Sequence, residues 1–187
     1  MPLTRESSQT PALRVYAMPS RVLSAVLAAC FCCALSASAQ ARDAQLADIT
    51  RAVHTYNRYT VFDDVHARID AGAVTLTGKV TLPLKKDEIG KRVAGLPGVT
   101  AVQNDIEVLS ASPIDDDLRQ RIARAIYGDA AFWRYAAMPT PPIRILVERG
   151  RVTLTGVVAT ESDRMLARSL ATGLGEAALV CDLRIDR

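Results

Sequence analysis

The feature that most constrains this chain is a sequence motif that occurs twice. Residues 72–80 read GAVTLTGKV, and residues 150–158, which lie 78 positions later, read GRVTLTGVV. The same offset also aligns Gly95-Leu96 with Gly173-Leu174. Self-similarity at a fixed offset indicates that one supersecondary unit has been duplicated. We therefore predict two similar domains, over residues 43–109 and 113–187.

The order of secondary-structure elements is predicted to be the same in both copies. Apolar residues at helical spacing predict a first helix, and alternating apolar residues on both sides of Gly72 and Gly150 predict hairpins. A second helix and a final strand follow in each copy. The predicted fold class is α+β, with two tandem α-β-β-α-β units, each a three-stranded mixed sheet with two helices packed on one face. Units this small have thin cores, which favours packing of the two copies against each other, although their short linker does not establish it.

Two local patterns make sharper predictions. Gly78 and Gly156 lie inside the outgoing strands, where a glycine indicates a bulge or the close approach of a helix. Ser112 and Asp115 have the spacing of a capping box at the start of the second copy's first helix. We expect Asp115 to cap that helix.

The first forty residues have the pattern of an export signal. An uncharged, mostly apolar run covers residues 22–35, with Arg14 and Arg21 before it and Ala37-Ser38-Ala39 after it. These features predict a signal peptide over residues 1–39 that is cleaved near Ala39. The mature protein is then periplasmic or secreted, and translation starts at Met1 or at Met18.

A second interpretation of the same segment is lipidation. Leu27-Ala28-Ala29-Cys30 resembles a bacterial lipoprotein box, in which Cys30 carries the lipid anchor. The apolar run continues past Cys30 and would then remain in the mature chain, which favours conventional cleavage.

The paired motifs resemble the BON domain family. The resemblance rests on the two G-x-V-T-L-T-G-x-V segments and on Leu96-Pro97-Gly98-Val99 leading into residues 102–105, and it covers about residues 43–187. The second copy departs from the pattern, because Gly175-Glu176 replaces the Pro-Gly-Val turn. The resemblance implies a periplasmic, non-enzymatic module of a kind commonly proposed to bind phospholipid or to support the cell envelope, often in tandem pairs.

Composition and motifs argue against several functions. The chain has 23 basic and 20 acidic residues, a balance that indicates no nucleic-acid partner. His54 and His66, its two histidines, lie on different predicted elements, so we expect no ligand or catalytic pair from them. Asp63-Asp64 and residues 115–117 flank predicted element starts, where capping is favoured over calcium binding. We predict no catalytic residue, no metal site and no cofactor, and hence no enzyme.

Aromatic residues supply a candidate binding site in the second copy. Tyr127 and the sequence Phe132-Trp133-Arg134-Tyr135 lie between its first helix and its hairpin. These rings either close the end of a small core or form an exposed loop. On an exposed loop, Trp133 and Tyr135 would lie at a lipid headgroup boundary while Arg134 meets phosphate. A partner protein held by segment 127–135 is the third alternative.

Basic residues supply a second set of candidates. Lys85, Lys86, Lys91 and Arg92 are predicted on the polar side of the first copy's second helix, where an anionic bilayer would attract them. Acidic residues interleave with them, so an ordinary solvated face is the alternative. The leading hypothesis is an exported tandem module that binds anionic phospholipid at the bacterial envelope. The alternative is a protein-interaction or scaffolding module of the envelope.

Overall fold

The structure is a computed structural model, and it describes residues 40–186. The predicted signal peptide and the lipidation site at Cys30 lie outside the described residues, so both stay predictions.

The first repeat contains two helices and three strands in the predicted order. Helix α1 covers residues 40–54. It is followed by β1 (Asp64–Asp70), β2 (Ala73–Val80), α2 (Pro83–Ala94) and β3 (Ala101–Val108).

The second repeat has the same order with two added elements, a 3-10 turn and a short helix. Its elements are α3 (Pro113–Tyr127), a short 3-10 turn (Ala130–Phe132), α4 (Trp133–Ala136), β4 (Ile143–Glu148), β5 (Arg151–Val158), α5 (Glu161–Ala171) and β6 (Ala178–Ile185). The four-residue helix α4 was not predicted.

Each repeat forms its own three-stranded mixed sheet. Strand β2 lies between β1, to which it is antiparallel, and β3, to which it is parallel. Strands β4, β5 and β6 repeat this arrangement. Alternate residues of the central strands, such as Val74 and Leu76, are buried in cores that also include helix residues such as Ile49, Val53 and Ile89. The predicted fold class is therefore confirmed.

The hairpin turn between β4 and β5 explains why Asp115 is buried. The turn residues Arg149 and Gly150 both have positive φ, 52° and 73°, as a two-residue type I′ turn requires. The carboxylate of Asp115 accepts hydrogen bonds from both backbone N–H groups, at 2.8 Å each. Ser112 does cap α3, since its hydroxyl accepts from the Asp115 N–H at 3.3 Å. The prediction that Asp115 caps the helix is wrong, because its carboxylate holds the hairpin turn.

The backbone of the adjoining segment explains why positions 78 and 156 are glycine. Their φ values are +118° and +113°, and a Cβ at Gly156 would lie 1.9 Å from the carbonyl oxygen of Pro142. The β1–β2 register runs through Gly78, and Gly156 pairs with Ile143 at the end of the β4–β5 register, in both cases without an inserted residue. The expectation of a bulge or a helix contact is therefore wrong, because the adjoining strand's backbone occupies the space.

The two repeats pack together, and the part of the chain from Arg42 onward forms one compact unit. The loop before β1 lies along β4 of the second repeat: the Ile145 N–H donates to the Val61 carbonyl at 2.8 Å. Phe62 packs against the second core. Lys79 and Glu148 form an ion pair across the contact, with 2.8 Å between Nζ and Oε2. The apolar and polar contacts together join the repeats.

Candidate functional site

The aromatic segment of the second repeat is mostly part of the core. Phe132 is fully buried and Tyr135 is 5% exposed, whereas Trp133 is 70% exposed. Helical geometry places Phe132 and Tyr135 on one side of the segment and Trp133 on another. Of the two alternatives, closure of the core holds for Phe132 and Tyr135, so these two candidates are not exposed contacts, and Trp133 alone of these three extends into solvent.

Arg134 lies beside Trp133 but is already paired. Its guanidinium donates to Asp163 Oδ2 at 2.5 Å and lies over the Tyr135 ring, with 4.7 Å from Cζ to the ring centroid. Burial raises the pKa of Asp163, but hydrogen bonds from Tyr135 and Thr160 and the charge of Arg134 outweigh it, so the net shift is downward. Asp163 therefore stays ionised and compensates much of the Arg134 charge.

Lys85 is also not at the surface. It is 4% exposed, and its Nζ donates to Asp63 Oδ2 at 2.6 Å and to Thr81 Oγ1 at 2.7 Å. Asp63 is fully buried and also accepts from the Thr81 N–H. We call Asp63, Thr81 and Lys85 the first polar cluster. The prediction that Lys85 lies on the polar side of α2 is wrong, because the first turn of α2 faces the loop that carries Asp63.

The second repeat has a polar cluster at the equivalent place in the fold, but different chemical groups form it. The positions 78 residues after Thr81 and Lys85 are Ala159 and Asp163. The Tyr135 hydroxyl accepts from the Ala159 N–H at 2.8 Å and donates to Asp163 at 2.9 Å. We call Tyr135, Ala159 and Asp163 the second polar cluster. Here a hydroxyl takes the place of the first cluster's carboxylate, and a carboxylate takes the place of its ammonium. The burial of Tyr135 and Lys85 thus has a structural reason in both repeats.

The remaining predicted cations lie on the first repeat. Lys91 and Arg92 are exposed in the last turn of α2, and Lys86 is half-buried. Arg92 donates to Thr55 Oγ1 at 3.4 Å. Within residues 40–186, no hydrogen bond or ion pair joins these cations to Trp133. The predicted site residues therefore do not form one contiguous cluster through such contacts.

A cleft between the repeats contains residues that the sequence did not bring together. Both histidines, His54 and His66, line a cavity of about 380 Å³ with Asp64, Arg144 and Arg184. The two histidines lie on different elements, as predicted, but the fold brings both to one cavity, because the loop between α1 and β1 lies against β4 and places both beside the second repeat. We call this cavity the histidine cleft. No local motif signals it, since its two sides come from different repeats.

Burial and neighbouring charges shift the pKa values of the two histidines in opposite directions. Burial and the neighbouring Arg144 lower the pKa of His54, whose ring stacks on Tyr59 with 5.2 Å between centroids. A hydrogen bond with Asp64, 3.3 Å from Nε2 to Oδ2, raises the pKa of His66. Burial raises the pKa of Asp64, but hydrogen bonds from His66 and Thr155 outweigh it and lower the pKa overall. The cleft therefore holds an ionised carboxylate that is already engaged.

Two further observations concern metal binding and membrane-spanning helices. Over residues 40–186, no three His, Cys, Asp or Glu side chains are grouped closely enough to hold a metal ion. In the same part of the chain, no helix has both the length and the apolar character that a bilayer span requires.

The fold and these clusters define a duplicated α+β module in which each repeat ties its second helix to its core through a polar cluster. The family model of the BON domain matches residues 42–110 and 114–182, so the chain belongs to the BON domain family. No curated protein matches the chain.

Two solved structures share some similarity with the chain. Both are of CdsD, a structural protein of the type III secretion system of Chlamydia trachomatis, and both are 14% identical to this chain. They cover 75% of this chain and 92% and 96% of their own, with TM-scores of 0.27 and 0.26. Superpositions this loose support no inference about function.

Proposed function

We propose that this protein is an exported, non-enzymatic tandem BON module that contacts anionic phospholipid at the bacterial cell envelope, and that Trp133 makes the contact. The observation that carries the proposal is the 70% exposure of Trp133 on a short helix whose neighbours Phe132 and Tyr135 are buried. The buried neighbours hold the helix in place, so the exposed ring is presented in a defined position.

Trp133 has the chemistry of an interfacial residue. Its indole combines a large apolar surface with one N–H donor, which suits the boundary between headgroups and acyl chains. Met138, two residues after α4, is 44% exposed and adds apolar surface nearby in the chain. One inserted side chain contributes about 1.5–3 kcal/mol and each well-placed cation about 1 kcal/mol, so the binding should be weak and reversible.

Vesicle binding tests the proposal directly. Trp133 is the sole tryptophan of the chain, so its fluorescence reports on this site alone. We expect a blue shift on adding phosphatidylglycerol vesicles, and cosedimentation that Trp133→Ala weakens severalfold. Ile114→Ala is the matched control, because Ile114 is 77% exposed on α3 of the same repeat. Absence of binding at low salt, or equal losses in both variants, would dismiss Trp133 as a lipid contact.

A protein partner is the second candidate function. The observation that favours it is the ion pair between Arg134 and Asp163, which leaves less net positive charge beside Trp133 to attract lipid phosphate. Exposed tryptophans are also frequent centres of protein interfaces. Capture from an envelope extract distinguishes the two functions: a partner that Trp133→Ala removes, with vesicle binding unchanged, identifies the interaction module.

A further inference from the structure

The histidine cleft has the features of an anion site. We propose that it binds a phosphate monoester group, with Arg144 at its base and Arg184 and His66 at its opening. The site is distinct from Trp133 and does not rest on the proposed function.

Arg144 provides the principal argument. The residue is 5% exposed, its Cζ lies 4.8 Å from the centre of the Tyr59 ring, and its Nη1 donates to the Thr60 carbonyl at 3.2 Å. That hydrogen bond is the one its guanidinium makes to another residue of the described chain. Arg144 lines the cavity, and none of its side-chain nitrogens is both buried and without a hydrogen-bond partner, so its remaining donors reach water there. A phosphate that displaces this water accepts two N–H groups at once, as charge-assisted hydrogen bonds.

The rest of the lining supports an anion over a cation. Arg184 is exposed at the opening and His66 has 63% of its side chain exposed. Asp64 is the one carboxylate of the lining, and it already accepts from Thr155 at 2.7 Å and contacts His66. Thr140 adds a hydroxyl to the lining, whereas the Thr50 hydroxyl already donates its proton to the Leu46 carbonyl at 2.8 Å.

The size of the cleft restricts what can bind there. About 380 Å³ accommodates a phosphate with a small substituent. A phosphate monoester can come from a soluble metabolite or from the headgroup of phosphatidate, in which the monoester is terminal. Phosphatidylglycerol carries a diester and serves as the contrasting lipid.

The test is an NMR titration of the full chain with inorganic phosphate at constant ionic strength, near the ordinary imidazole pKa of about 6.5. The chain has two histidines, both in the cleft, so the imidazole signals report on this site. We expect saturable shifts of both rings, and Arg184→Gln should weaken binding about tenfold through loss of one charge-assisted contact. Arg168→Gln, an exposed arginine of α5 outside the cleft, should bind as the wild type does.

The outcomes are distinguishable. Non-saturating shifts, or equal affinities of the Arg184→Gln and Arg168→Gln variants, would overturn the site. Tighter binding of glycerol 3-phosphate than of phosphatidate vesicles assigns a soluble ligand. A preference for phosphatidate over phosphatidylglycerol vesicles that Arg184→Gln removes assigns the lipid headgroup. A result on Trp133 alters neither conclusion, because the two sites share no residue.

Discussion

Removing the two charges of the first polar cluster one at a time should have unequal effects on stability. In Asp63→Ala, the Lys85 ammonium, whose side chain is 5% exposed, keeps the Thr81 hydroxyl as its partner and loses its counter-ion. The N–H groups of Thr60 and Thr81 also lose their acceptor. Breaking a buried ion pair from one side typically costs about 3–5 kcal/mol. We expect a loss of that size in the free energy of unfolding.

Lys85→Met should cost less. The Asp63 carboxylate then keeps four donors, the N–H and hydroxyl groups of Thr60 and Thr81, at 2.8–3.0 Å. The methionine also fills the volume of the lysine stem. We expect a loss of about 1.5–3 kcal/mol, the worth of one hydrogen bond to a charged group.

Urea denaturation of the full chain, followed by far-UV circular dichroism, measures both values. Lys91→Met is the matched control, because Lys91 is an exposed lysine of the same helix and should change stability by less than about 0.5 kcal/mol. A loss below about 1 kcal/mol in Asp63→Ala would refute the assignment, since buried partners cannot be removed so cheaply. A larger loss in Lys85→Met than in Asp63→Ala would refute the reasoning about the carboxylate's other donors.

Further predictions concern the strand contact and the histidine cleft. Gly156→Ala should destabilise more than Gly173→Ala: both have positive φ, but at Gly156 a Cβ meets the Pro142 carbonyl, while at Gly173 it meets nothing within 4 Å. The added clash should be worth about 1–3 kcal/mol by thermal or urea unfolding, and equal losses would contradict it. Because burial lowers the pKa of His54, its contribution to stability is lost as the pH falls below its unfolded value of about 6.5. In phosphate-free buffer, His54→Gln should therefore lose less stability than the wild type between neutral and mildly acidic pH, whereas parallel pH profiles would exclude His54. Asp64, whose pKa is lowered overall, should lose its contribution only below about pH 4, as the pH falls through its folded pKa.

The sequence does not show which side chains of the predicted binding segments are exposed. Phe132, Tyr135 and Lys85 are candidate surface contacts by sequence, and all three are buried. The reason is the same in each case, because burial depends on which other element covers the side chain. Lys85 is covered through Asp63, 22 positions earlier, and Tyr135 through Asp163, 28 positions later.

The sequence by itself determined the duplication, the element order and the membership of the fold class, because hydrophobic periodicity and turn glycines act over a few residues and repeat at one offset. The tertiary structure decided which charges are paired and which ring is exposed. It also decided that His54 and His66 share a cleft with Arg144 of the other repeat. Those relations depend on how one repeat packs against the other, and contacts between distant segments leave no periodic pattern along the chain.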